Sequence, residues 1–104
     1  MTLRLLSYNI RYGGTGREGA IAAVIEAAAP DLVILQEATD PAVVEQLARR
    51  TGMAQWGSRR GRSLGYLSRG RLAHVEWHKP ALSRHAFLEI VMDGAAWRTY
   101  GVHL

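Results

Sequence analysis

The chain has 104 residues, 48% hydrophobic and 21% charged, and its 13 Lys and Arg against 9 Asp and Glu give a formal charge of +4. That is the composition of one soluble globular domain rather than of a disordered or fibrous segment, long enough to bury roughly two thirds of the surface its unfolded form exposes. There is no cysteine, so disulfides, thiolate metal centres and cysteine-ligated zinc deaminase chemistry are excluded.

The apolar runs are too short to cross a bilayer, and Met1-Thr2-Leu3-Arg4 leads into a strand pattern rather than a signal peptide, so a cytoplasmic protein is expected. All the cations except Lys79 are arginine. The mild basicity suits a phosphate-bearing partner and is equally ordinary for a small soluble protein.

Leu3 to Asn9 reads as a short strand that Gly13-Gly14 ends. Thr15-Gly16-Arg17-Glu18 has capping-box spacing, which predicts a helix over Arg17 to Ala29. In it Ile21, Val24, Ile25 and Ala28 form one apolar stripe, and Pro30 stops it. Leu32 to Leu35 is a continuous apolar run, as expected of a strand covered on both faces. Strand, helix and strand in so short a span make a βαβ unit with parallel strands. Parallel strands end on one rim of the sheet, so Asn9 and Glu37 are expected side by side where open α/β sheets bind ligands. An amide and a carboxylate there are a plausible half of a site for a hard cation, which takes a few oxygen ligands and keeps water.

Asp40-Pro41 opens a second helix, predicted over Pro41 to Arg50, with Val43, Val44, Leu47 and Ala48 buried and Gly52 as its C-terminal cap. After Gln55 the pattern changes to short strands at Leu64 to Ser68, Leu72 to Trp77, Ala86 to Met92 and Trp97 to His103. The whole is α/β (α+β): a βαβ unit followed by mostly antiparallel strands. Asp93-Gly94 suits a two-residue hairpin turn, which sets Glu89 opposite Arg98 and Phe87 opposite Tyr100. Leu88, Ile90, Met92, Trp97 and His103 then share an apolar face. The two helices can cover only one face of one sheet, so this face is expected to need a second copy of the chain, a separately encoded second half, or a tighter packing of the two sheet portions.

Four segments in this order resemble the endonuclease/exonuclease/phosphatase superfamily, the deoxyribonuclease-I-like metal-dependent phosphoesterases. They are Leu5-Leu6-Ser7-Tyr8-Asn9-Ile10-Arg11-Tyr12-Gly13, Pro30-Asp31-Leu32-Val33-Ile34-Leu35-Gln36-Glu37, Gly65-Tyr66-Leu67-Ser68-Arg69 and Val102-His103-Leu104. The resemblance runs through residues 1–104 and implies the front part of a four-layer α/β/β/α sandwich, a partial domain. It implies Glu37 as ligand of a catalytic Mg2+ or Mn2+, Asn9 beside that metal or the phosphate, and Arg11 and His103 on the substrate phosphate. The implied activity is metal-dependent hydrolysis of a phosphodiester or phosphomonoester, as a nuclease or a small-molecule or lipid head-group phosphatase. A non-catalytic, truncated or split module that binds metal, phosphate or a partner chain is the alternative. The implied partners are a phosphate-ester substrate, nucleic acid among them, and a homodimer mate or a complementing C-terminal half. The family's later Gly-Asp-x-Asn and Ser-Asp-His motifs do not occur in the 104 residues, so little activity is expected of these residues alone.

Plainer readings stand beside these. Glu37 can be a solvated strand end, Asn9 a turn residue bonded to its own backbone, and His103 a hydrogen-bonded core histidine. Arg59, Arg60 and Arg62 can grip phosphate oxygens or form a solvated run. His74, Glu76 and His78 alternate along one strand as a two-histidine, one-carboxylate metal set would, but neighbours on one flat strand rarely converge on an ion. The glycines at 13, 14 and 16 lack dinucleotide-fingerprint spacing.

Overall fold

A computed structural model describes residues 3–60, 62–79 and 86–103. The chain forms β1 (Leu5–Asn9), a single 3-10 turn (Tyr12–Gly14), α1 (Glu18–Ala28), β2 (Leu32–Gln36), α2 (Pro41–Thr51), β3 (Gln55–Ser58), β4 (Leu64–Ser68), β5 (Leu72–His78), β6 (Phe87–Met92) and β7 (Thr99–Gly101). One sheet has the order β1-β2-β4-β3 and the other β5-β6-β7. The βαβ expectation holds: β1 and β2 are parallel, with Leu5 beside Leu32 and Asn9 beside Gln36. Every other pairing is antiparallel.

The period-two alternation of β2 divides the interior into two cores. Val33 and Leu35 point to the helices and pack with Ile21, Ile25, Val44 and Leu47. Leu32 and Ile34 point the other way and pack with Leu64 and with Leu88, Ile90 and Met92 of the second sheet. The result is three layers: helices, first sheet, second sheet.

Of the three covers expected for the Leu88 face, the structure shows the tighter packing of the two sheet portions. Leu88 is fully buried and Ile90 is 1% exposed, because the second sheet lies on the first. The tighter packing comes from Gly101, where a Cβ would stand 2.8 Å from Ile34 Cγ2. This face by itself therefore does not call for a second copy. Trp97, expected on the buried face, is 42% exposed.

The hairpin is also longer than expected. Glu89 pairs with Tyr100 and Leu88 with Gly101, a register two residues from the expected one. Ala95 N–H donates to Met92 O at 3.0 Å with Gly94 at positive φ, so residues beyond Asp93-Gly94 join the turn. A slip of two keeps every side chain on its face. The Glu89–Arg98 ion pair and the tilted Phe87–Tyr100 contact at 6.3 Å survive as diagonal neighbours.

Both helices form where expected, but only the second is capped as expected. Asp40 accepts the Ala42 N–H at 3.0 Å, and Gly52 ends α2 in the left-handed conformation. In α1 the capping box fails. Arg17 holds the cap position without a side-chain cap, and Glu18 instead accepts the Gly16 N–H at 2.6 Å. The Arg17 guanidinium turns back to the carbonyls of Ile10 and Arg11, which delays the helix to Glu18. Val24, expected in the apolar stripe, is 46% exposed, and Ala22 takes its place.

Candidate functional site at the sheet rim

The parallel pairing of β1 with β2 fixes the rim. Asn9 is the last residue of β1, and Glu37 is the first residue beyond β2. Their neighbourhood is held by backbone. Ile10 N–H donates to Gln36 O at 3.0 Å, Gly13 N–H to Glu37 O at 3.1 Å, and Glu37 N–H to Ser63 O at 2.8 Å. The chain leaving β1 is thus bonded to the chain leaving β2, and both are bonded to the loop before β4.

Left-handed backbone at non-glycine residues concentrates here. Arg11 has φ 50°, Tyr12 φ 51° and Glu37 φ 58°, and Gly13 and Gly14 follow at φ 75° and 74°. Among the described residues the other such residue is Ala29, the C-cap of α1. A non-glycine side chain in this region costs roughly 1–3 kcal/mol, and such conformations cluster where surrounding structure over-determines them at functional positions. The hydrogen bonds just described, with the Arg17 brace, supply that over-determination.

Asn9 Oδ1 accepts the Arg11 N–H at 2.9 Å, the turn reading of that residue. An amide oxygen has two lone pairs and the NH2 group two donors, so the side chain keeps capacity for a ligand. Asn9 and Arg11 are exposed, Glu37 is half-buried and Tyr12 is 89% exposed. The set therefore stands on an accessible edge.

The second sheet reaches the same end. Met92 lies against Gly70, at the Asp31 end of β2, and Gly101 lies against Ile34, so β7 runs toward the rim and carries His103 that way. His103 is half-buried, and its Nδ1 is a buried polar atom without a hydrogen-bond partner among the described residues. Such an atom is costly unless something pairs with it. Arg59 also leaves β3 at this end, its guanidinium 5.4 Å from the Trp77 ring, while Arg60 stands 3.9 Å from Asp40.

In Gly65-Tyr66-Leu67-Ser68-Arg69, one of the four resembling segments, Gly65 and Ser68 serve packing. A Cβ on Gly65 would stand 3.3 Å from Ala38 Cβ and Val44 Cγ2, so the glycine lets α2 approach the sheet. Ser68 is fully buried and donates to Gly70 O at 2.8 Å.

A cleft of about 530 Å3 lies along α2 and β3 between Glu45, Arg49, Met53 and Trp56, away from the rim. Away from the rim too, on the outer face of the second sheet, His74, Glu76 and Glu89 bring ligand atoms within 4.8 Å of one another. Sequence reasoning missed Glu89 as a member of this group because it comes from the neighbouring strand. A hydrogen bond from His78, followed by the Arg98 guanidinium, holds the Glu89 carboxyl below the usual carboxylate range.

No family model and no curated protein matches the chain. Solved structures do. An endonuclease/exonuclease/phosphatase from Beutenbergia cavernae is similar over 98% of this chain and 38% of its own, at TM-score 0.72 and 20% identity. TDP2 from D. rerio, complexed with a single strand DNA product, is similar over 94% of this chain and 43% of its own, at TM-score 0.70 and 22% identity. An endonuclease/exonuclease/phosphatase family protein from Leptotrichia buccalis is similar over 99% of this chain and 54% of its own, at TM-score 0.67 and 14% identity. The chain spans about half or less of the length of each, and the likeness is one of fold.

Proposed function

We propose that this chain, which has the fold of the front part of endonuclease/exonuclease/phosphatase proteins, carries the Mg2+ or Mn2+ side of a phosphoesterase site. The observation that carries the reading is the rim: an amide and a carboxylate on adjoining strand ends, held by strained backbone that hydrogen bonds tie together. Hard oxygen donors in that number fit a magnesium-class ion, which is held by one or two carboxylates and keeps most of its waters. When bound, such an ion polarises a phosphoryl oxygen and offsets charge in the transition state.

Within this reading Glu37 is the metal ligand and Asn9 orients a water or a phosphate oxygen through its amide. Arg11 stands on the exposed turn above them, where a guanidinium pairs well with phosphate. His103 Nδ1 offers its unpaired lone pair or proton to the substrate phosphate from the second sheet. These groups bind and orient. Activation of water and protonation of the leaving group need further residues, so little turnover is expected of the 104 residues alone. The substrate is a phosphate ester, and a nucleic-acid strand fits the arginines at this end of the molecule. No helix among the described residues is long and apolar enough to cross a membrane.

The test is a Mg2+ and Mn2+ titration followed by amide and side-chain NMR. Shifts and paramagnetic broadening centred on Asn9, Arg11 and Glu37, abolished in Glu37→Gln, are the expected result. Broadening that spares this rim sinks the reading, and fast metal-dependent cleavage of a phosphodiester by the chain alone would show that the water-activating groups are already present in it.

A further inference from the structure

We infer that the outer face of the second sheet holds a second metal site, for a borderline divalent ion of the zinc class, with His74, Glu76 and Glu89 as ligands and His78 as a positioning residue. The β-bulge between Leu72 and His74 bends β5 and re-aims its side chains, and β6 adds a carboxylate from across the ladder. The two features answer the objection that neighbours on one flat strand do not converge.

The distances match such an ion. Ligand atoms at the corners of a tetrahedral zinc site lie about 3.4 Å apart, given metal–ligand lengths near 2.1 Å. His74 Nε2 stands 3.3 Å from Glu76 Oε2, and the ligand atoms of His74, Glu76 and Glu89 all lie within 4.8 Å of one another. Modest side-chain movement closes the set around an ion and leaves a fourth position for water or an exogenous ligand.

The electrostatics ask for a cation. Glu76 and Glu89 are directly opposite each other in the ladder, an arrangement of like charges that destabilises a sheet. Arg98 reaches Glu89, whereas among the described residues the ionic contacts of Glu76 are the imidazoles of His74 and of His78, at 3.3 and 3.6 Å. Imidazole selects a zinc-class ion over magnesium.

The outer partners are in place. His78 Nε2 is 2.9 Å from Glu89 Oε1, and its ring stacks on Phe87 at 4.6 Å, which fixes the imidazole. Arg98 holds the other carboxylate oxygen, Oε2, so each oxygen of Glu89 has an outer partner that fixes its direction. Bonds of this kind set ligand direction, and losing one costs about 10- to 100-fold in metal affinity. The Glu89 side chain is only 12% exposed, while those of His74 and Glu76 are 42% and 52% exposed, so the site is anchored inside and open outside.

The experiment uses the full chain without a histidine tag, titrated with ZnCl2 by calorimetry and with CoCl2 by visible absorption. One Zn2+ per chain, the d–d bands of a low-symmetry Co2+ site and zinc-induced shifts of the His74 ring nitrogens are expected. Affinity falls at least tenfold in His74→Gln and in Glu76→Gln, about tenfold in His78→Gln, and not at all in Glu37→Gln. The inference is overturned by absence of zinc binding at millimolar metal, by full affinity in His74→Gln and Glu76→Gln, or by loss in Glu37→Gln instead. Because the ring-nitrogen shifts are read on the unmutated chain, a variant that fails to fold does not shield the proposal.

Discussion

The rim and the outer face of the second sheet both gather polar groups, but they are built in opposite ways. At the rim the backbone does the positioning: Arg11, Tyr12 and Glu37 lie in left-handed conformations, and main-chain bonds tie the three segments together. On the outer face the backbone is antiparallel sheet with one bulge before His74, and the side chains of His74, Glu76, His78 and Glu89 hold one another. The first arrangement is stiff before any ligand arrives. The second adjusts easily and is assembled by whatever it binds, so mutations should separate the two.

The inter-sheet core supports both, and emptying it is the largest perturbation available. Ile90 is 1% exposed, on the face of β6 opposite Glu89. Ile90→Ala is expected to cost about 2–5 kcal/mol, as buried isoleucine truncations do. The loss, read from urea denaturation, should be the same at low and high protein concentration, since one chain covers this face. A concentration-dependent midpoint would restore the second copy.

Breaking the rim alone is smaller. Gly14 has φ 74°, and a Cβ there would stand 3.0 Å from Ile21 Cδ1 and 3.1 Å from Ile10 Cδ1. Gly14→Ala is expected to lose roughly 1–3 kcal/mol through left-handed strain and crowding. It should blunt the Mg2+ response at Asn9 and Glu37 while zinc binding on the outer face stays intact. Equal loss at both places would mean that they are not independent.

What could be read in advance follows the same division. Six of the seven strands and both helices show in apolar runs and 3.6-residue spacing, and parallel pairing alone brings Asn9 to Gln36 and Glu37. Residues whose partners are set by distant packing stay hidden. β3 goes unseen because Gln55-Trp56-Gly57-Ser58 has one large apolar side chain and depends on pairing with β4. The cover on Leu88 and Ile90 depends on Gly101 meeting Ile34, a contact between separate sheets. The approach of Glu89 to Glu76 depends on the β5–β6 register, and the left-handed turn at Glu37 has no glycine to announce it.

Glu37 sharpens the comparison because its conformation opposes its residue type. Glycine accepts φ 58° without the steric cost that a side chain brings there. Glu37→Gly is therefore expected to raise stability by about 1 kcal/mol, from roughly 1–2 of relieved strain less the greater entropy glycine loses on folding. The same change should remove the Mg2+ response. A lowered urea midpoint would mean that the Glu37 side chain holds the rim together, and the strain would then have no link to metal binding.

The smallest effect tests whether β4, which lies between the two regions, is electrically silent. Burial pushes the Tyr66 phenol above its ordinary value of 10.0. The sign follows from which form the fold disfavours. An unfolded chain ionises Tyr66 near pH 10, whereas the folded chain keeps the proton to higher pH, so the stability tied to the neutral phenol is complete below pH 10 and declines as pH climbs through the raised value. Tyr66→Phe should erase that alkaline decline and leave the curve between pH 6 and about 9 unchanged. The ring itself must stay, because it lies across Gly57 of β3, 2.3 Å from where a Cβ would be. If Tyr66→Phe instead alters stability near neutrality, the hydroxyl has a hydrogen-bonded role and β4 couples the rim to the second sheet. An unchanged neutral region leaves the two regions to respond separately, each to its own ion.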